Sequence, residues 1–262
     1  GAPHLDGARD GDIPEDTSPA AAAHDPTDRQ LTAAVLRLAS ADIVALQEVF
    51  DRASLDYFHE SVLAPMGVRP YPHRYCLPGN DGRGLDVALM SRRRPTRVES
   101  HAPATPAALG LAAIPGCEPE HRIFRRDCLE AEIGALTLFV CHFKAPYPDA
   151  EAAWPIRQLE AAAVAALIRR RFPNPAEGLW LVLGDLNEPF EQGAAGSALA
   201  PLIAAHGVDL MLRLPEAERW SFHQPYSTRY ARPDAMIASA ALASRFPEAA
   251  PTIIRAGLDF GA

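Results

Sequence analysis

The 262-residue sequence predicts a mixed α/β protein built on mixed β-sheets. Apolar runs of strand length alternate along the chain with segments of helical periodicity. Two of those strands, in "CLEAEI" and "LTLFVCHF", are joined by a tight turn at Gly134 and must be antiparallel, while others are separated by helices. The composition, 48% hydrophobic and 22% charged, is that of a globular chain able to bury a core.

Taken in order, the first 26 residues are polar and rich in Gly, Pro and Asp and read as a loop. "TDRQ" at 27–30 fits a capping box, with Thr27 as cap, and Leu31, Ala34, Val35 and Leu38 follow at helical spacing. "DIVALQEVF" is a short buried strand ending in Gln47 and Glu48, and "SLDYFHESVLAPMG" is helical up to Gly67. "YPHRYCL" and "LDVALMS" are strands flanking the turn-rich "PGNDGRG". Residues 102–120 read as a surface excursion. After the Gly134 hairpin, Pro155 can open a helix whose buried face is Ile156, Leu159, Ala163 and Leu167. "GLWLVLGDL" is the next strand; a helix near 196–206, the strand-like "VDLML", the strand "RPDAMIAS" and a last short strand in "PTIIRAG" complete the pass. No internal repeat or domain boundary is visible, so residues 1–262 are expected to form a single domain.

Charge and cysteine content narrow the function classes. The net charge is −8, without the basic stripe of a dedicated nucleic-acid binder. The clusters "SRRRP" and "RRR" are local, and the second suits a helix C-terminus. Acidity still allows a phosphate-bearing substrate where a metal supplies positive charge. Cys76, Cys117, Cys128 and Cys141 have no zinc-ligand spacing and do not form a disulfide scaffold. No apolar run of about 18 residues suggests a membrane span. The compartment stays open, with a slight preference for the cytoplasm; secretion fits if a signal once preceded these residues.

The polar residues collect at strand ends. "DIVALQEV" ends near Glu48, "LTLFVCHF" near His142, and "LVLGDLNEP" presents Asp185 and Asn187 on one face, two residues apart. Asp234 stands at the entrance to "DAMIAS", and Arg126 precedes "CLEAEI". Each has an ordinary reading: a solvated strand end for Glu48, a structural histidine for His142, turn formers for Asp185, Asn187 and Asp234, a surface residue for Arg126. If the strand ends share one rim, they gather carboxylates, an imidazole and an amide, able to hold a hard cation and move protons.

In this order the blocks "ADIVALQEV", "RGLDVALMSRRRP", "RRDCLEAEI", "LTLFVCHFK", "LVLGDLNEP" and "RPDAMIASAAL" resemble the endonuclease/exonuclease/phosphatase superfamily. The resemblance spans roughly residues 30 to 243, with "QEV", "HFK" and "GDLN" its most specific parts. It implies a four-layer α/β/β/α sandwich, two packed mixed sheets flanked by helices. It also implies metal-dependent hydrolysis of phosphodiester or phosphomonoester bonds. Glu48 then corresponds to the metal-binding glutamate, with Mg²⁺ as the ion and Mn²⁺ as a substitute. Asp185 and Asn187 correspond to the pair that activates water, and His142 to the histidine on the scissile phosphate. Arg126 corresponds to a phosphate-contacting arginine, and Asp234 to the aspartate that orients a second histidine. Asp86 and Lys144 lie in matching blocks without a role. The implied partners are a phosphate-ester substrate, nucleic acid or a phospholipid headgroup.

Two pieces of the family pattern are missing: an opening strand carrying asparagine, and a closing Ser-Asp-His strand. No histidine follows Asp234. The expectation is a piece of a longer enzyme, with open sheet edges that lower stability or favour association. The alternative is a catalytically inactive relative kept as a binding or scaffolding domain.

Overall fold

The structure, a computed structural model, describes residues 19–188, 196–223 and 228–256. Its strands form two larger sheets and one small hairpin. The first sheet holds β1 (Ile43–Val49), β2 (His73–Cys76) and β3 (Asp86–Ser91) in the order β1-β3-β2, all antiparallel. The second holds β4 (Arg97–Ser100), β5 (Cys128–Ile133), β6 (Leu136–His142), β7 (Trp180–Asp185), β8 (Gly207–Asp209) and β11 (Asp234–Ser239). Its order is β4-β5-β6-β7-β11-β8, and its β6/β7 pair is parallel while its neighbours are antiparallel. β9 (Phe222–His223) and β10 (Tyr230–Ala231) form the hairpin.

Alternation of side chains explains the layers. Val87 and Leu89 of β3 and Ile43 and Ala45 of β1 face Leu129, Ala131, Leu138, Val140, Leu181 and Leu183 of the large sheet, forming the core between the sheets. Cys128, Phe139, Cys141, Trp180, Val182 and Ile237 point the other way, onto α4 (Ala150–Arg171). That helix lies close because Ala153, Ala161, Ala163 and Ala165 fill its buried face. On the far side, Val44, Ala88 and Met90 pack under α1 (Pro19–Ala39) and α2 (Arg52–Tyr57), burying Ala33, Leu55 and Leu63. The result is the expected helix/sheet/sheet/helix sandwich.

Several local readings differ from the structure. α1 starts at Pro19, so Thr27 is inside the helix instead of capping it; the alanine run at 20–23 has the propensity to carry the helix back. α1 turns Ala33 and Leu36 to the core and leaves Leu31 and Leu38 exposed. α4 starts at Ala150, capped by Asp149, which accepts from the backbone N–H groups of Glu151 and Ala152, so Pro155 lies inside it. "VDLML" is strand only to Asp209 and then turns into a 3₁₀ segment, and residues 251–256 form no strand. The excursion at 102–120 contains α3 (Pro106–Leu109). α5 (Ala200–Ala204) and α6 (Ala240–Arg245) flank β8 and β11. All four cysteines are buried free thiols.

One backbone position controls how closely the sheets approach at the rim that carries the polar residues. Gly184 has φ of 136°, and a Cβ there would lie 2.1 Å from the Cys141 carbonyl oxygen and 3.0 Å from Gln47 Nε2. Gly184→Ala therefore combines strain with overpacking and is expected to cost about 2–5 kcal/mol. Urea unfolding checks this, and a loss below about 0.5 kcal/mol would show that the approach is not tight.

Candidate active site

The parallel β6/β7 register places His142 opposite Asp185, and the antiparallel β7/β11 register places Asp185 opposite Asp234. Opposed residues share a face, so the three side chains form a row across neighbouring strands about 4.8 Å apart. The row continues the inter-sheet face of Leu181 and Leu183, at the rim where that core ends. His142 Nε2 stands 3.6 Å from Asp185 Oδ2, a distance that can close to a hydrogen bond when a ligand seats.

Asn187 enters the same group through a turn. Its φ is 51°, a left-handed value that asparagine tolerates, and its backbone N–H donates to Asp185 Oδ1 at 2.9 Å. Its Nδ2 donates to the Phe143 carbonyl at 3.0 Å. Arg126 donates to that same carbonyl through NH1 at 3.2 Å, and its Nε lies 3.2 Å from Asp81 Oδ2. A single backbone carbonyl thus joins the arginine and the amide.

Glu48 reaches the rim by a bulge. The β1/β3 register gains one residue on β1 between Leu46 and Val49, and Glu48 takes φ of 57°. Its side chain is exposed and its charge acts on Asp185. The neighbouring Gln47 packs against Gly184, with its Nε2 buried and lacking a hydrogen-bond partner in the protein. Asp234 accepts from Ser221 Oγ at 2.5 Å. All six predicted residues therefore converge, from five strand ends and their adjoining turns.

The electrostatics separate their roles. Burial, then the Asp234 carboxylate and, less strongly, Glu48 push the Asp185 carboxyl up to about 6, against the pull of the Asn187 N–H and Arg126. Burial and the adjacent Arg126 push His142 down to about 4, so its imidazole is neutral at pH 7 and donates without carrying charge. Burial raises Asp234 as well, against the Ser221 hydrogen bond.

Asp86 and Lys144 have structural partners. Asp86 is buried and accepts from the Gly79 N–H at 2.9 Å, holding the turn that leads to Asp81; burial raises it to about 6. Lys144 Nζ donates to the carbonyls of Ala145 and Tyr147 within its own loop. The sequence reading missed Asp81, Ser221, and the buried α4 residues Arg157 and Glu160. Asp81 lay in a turn-rich stretch, and Arg157 and Glu160 were set among alanines where only apolar spacing was read.

A divalent ion fits the rim by donor chemistry. Glu48, Asp185 and Asp234 are oxygen donors, the first and last of which repel the Asp185 carboxylate, and Mg²⁺ needs only one or two carboxylates beside its waters. Among the described residues one His/carboxylate group, Glu99, His101 and Glu130, brings three ligand atoms within 4.8 Å. It lies on the α4 side of the sheet, and Glu130 there is already bound by Arg97 and His101 and faced by Arg171.

The class is thus a two-sheet sandwich with acids, an amide and a histidine gathered at one rim, and comparison with known proteins places it in a family. The model of the Endonuclease/Exonuclease/phosphatase family matches residues 10–236, and the chain belongs to that family. Members are phosphoesterases and nucleases, generally dependent on divalent metals. No curated protein matches the sequence at a significant level. Among solved structures, the endonuclease/exonuclease/phosphatase from Beutenbergia cavernae aligns at 15% identity and a TM-score of 0.58, over 80% of this chain and 58% of that one. A family protein from Leptotrichia buccalis aligns at 14% identity and 0.54, over 80% of each chain. D. rerio TDP2 complexed with a single-strand DNA product aligns at 16% and 0.50, over 86% of this chain and 80% of that one. The chain thus spans little more than half of the Beutenbergia protein, and these likenesses carry the fold.

Ionising Asp185 works against folding. Its folded pKa lies above the 3.8 of a free carboxyl, so the stability present below that value is lost as the pH rises through about 6. The side chain is 27% exposed, which discounts the effect. Asp185→Asn is expected to stabilise by about 1–2 kcal/mol at pH 8 in chelator and by almost nothing at pH 4. Chemical denaturation at the two pH values measures this; an equal gain at both would remove ionisation as the cause.

Proposed function

We propose that this protein hydrolyses phosphodiester bonds with a divalent metal, Mg²⁺ in preference to Mn²⁺, and that its substrates are nucleic acids or their fragments. The observation that carries the reading is the row His142–Asp185–Asp234, with Asp185 held near a pKa of 6 beside a neutral histidine and Arg126. A carboxylate of that pKa is ionised at neutral pH and basic enough to take a proton from water. Asn187 fixes it through the N–H bond to Oδ1. Arg126 and the His142 N–H stabilise charge that grows on the phosphoryl oxygens. Glu48, with Asp185 beside it, would hold the ion, which supplies Lewis-acid stabilisation of the phosphoryl group. Asp234 keeps Asp185 basic by repulsion. Support for nucleic acid comes from the TDP2 structure with its DNA product. No described helix is long and apolar enough to cross a membrane.

A second reading, a non-catalytic binding domain, draws on Asp234: its partner is Ser221, where the family resemblance implies a histidine. One assay separates the two. Bis(p-nitrophenyl) phosphate and a labelled single-stranded DNA are incubated with Mg²⁺ or with chelator, using Asp185→Ala as control. Catalysis predicts a metal-dependent rate that falls at least about 100-fold in the variant. Binding of DNA without turnover, unchanged by Asp185→Ala, supports the second reading and sinks the first.

A further inference from the structure

The site residues are held together from behind by one helix. Glu160 of α4 is fully buried, and its two carboxylate oxygens accept separate backbone N–H groups, that of Arg125 at 2.9 Å and that of Lys144 at 2.7 Å. Arg125 precedes Arg126, and Lys144 is two residues beyond His142. One turn earlier on the helix, the buried Arg157 donates to the Lys144 carbonyl at 3.3 Å and faces Glu188 Oε2 at 3.8 Å. Glu188 in turn accepts from the Ala198 N–H at 2.9 Å through its other oxygen. Both backbone groups of Lys144 are therefore gripped by α4, and the turn after Asn187 is tied to the same helix.

Between these grips lies the Phe143 carbonyl that receives both Arg126 and Asn187. Among the described residues, Glu160 has no ion pair within 4.0 Å; its ionised form accepts from the two peptide N–H groups and is further favoured by the charges of Arg126 and Arg125. A buried carboxylate is a costly way to tie two loops. Its particular capacity is two acceptor oxygens at a fixed separation, which neither a hydroxyl nor an amide offers.

We infer that Glu160 is a positioning residue, which sets the spacing between Arg126 and His142 by holding the Arg125 and Lys144 peptides on one carboxylate. In its catalytic consequence this rests on the proposed phosphodiesterase reading. Glu160→Gln keeps one acceptor and turns an NH₂ group toward the other peptide N–H, so one loop must retreat. Glu160→Asp keeps both oxygens but withdraws them by one methylene.

The test joins two readouts. In ¹H–¹⁵N spectra of the wild-type chain, the Arg125 and Lys144 amides are expected downfield and to move together when the Glu160 carboxyl titrates near pH 7. In Glu160→Gln one or both amide signals shift upfield and the His142 ring signals move. With bis(p-nitrophenyl) phosphate and Mg²⁺, kcat is expected to fall about 10- to 100-fold with KM changed less than about threefold, and Glu160→Asp to recover part of the loss. Amides that do not respond to the Glu160 titration in the wild type, or a folded Glu160→Gln chain with unchanged kcat and His142 signals, would overturn the inference. Amide and His142 shifts in a chain with no Mg²⁺-dependent hydrolysis at all would leave the positioning intact and reject the phosphodiesterase reading.

Discussion

The parallel pairing of β6 with β7 is the interaction on which the rest depends. Parallel neighbours need a crossover, and α4 supplies it, packing on the sheet through alanines that let it lie close. Once the register is set, His142 and Asp185 must be opposite each other, and β11, through its own antiparallel register with β7, brings Asp234 into the same row. A slip of one residue would turn Asp185 onto the hydrophobic α4 face and Gly184 into the site, losing the row and the close approach of Gln47 together. Register is therefore the quantity that folding fixes and chemistry uses.

The cost of this arrangement is electrostatic. Asp234 and Glu48 repel the Asp185 carboxylate, and burial adds to the penalty on Asp185 and Asp234. A sequence selected for stability alone would place apolar or amide side chains at such a rim. The neighbouring Arg126 offsets part of the repulsion at Asp185, and that same charge helps keep His142 neutral. The guanidinium thus lowers both groups, favouring the charged acid and the neutral imidazole, while burial raises the acid and lowers the imidazole and so drives the two apart.

Much of this was legible in the residues. Strands ending in Glu48, His142 and Asp185 could be read because apolar runs that stop at a polar residue mark strand ends, and residues 185 and 187 share a face by alternation alone. Convergence at one rim was not legible from spacing; it needed strand order, which came from the resemblance. The helix starts failed for a local reason. Thr27 and Pro155 carry genuine N-terminal signals, but an alanine run before one and the Asp149 cap before the other begin the helix earlier. Arg157 and Glu160 escaped because an amphipathic reading assigns charged residues to solvent, whereas these two satisfy peptide groups inside the protein. Leu31 and Leu38 failed in the opposite sense, since their helical spacing is real but α1 turns that stripe away from the core.

The bulge in β1 shows how one irregularity serves both the sheet and the site. Among the described residues β1 is an edge strand, with β3 its only strand neighbour, and it contacts β6 and β7 across the core. A regular edge would offer its free N–H and C=O groups to another chain along its whole length. The extra residue at Gln47–Glu48 breaks that row, and the exposed carboxylate of Glu48 discourages a strand from approaching. The same left-handed turn at Glu48 sends its carboxylate toward Asp185 and leaves Gln47 to meet Gly184. Straightening the bulge would lengthen a pairing-competent edge and withdraw the oxygen donor from the rim. The interruption of the edge and the placement of the Glu48 carboxylate at the rim are consequently one conformational fact.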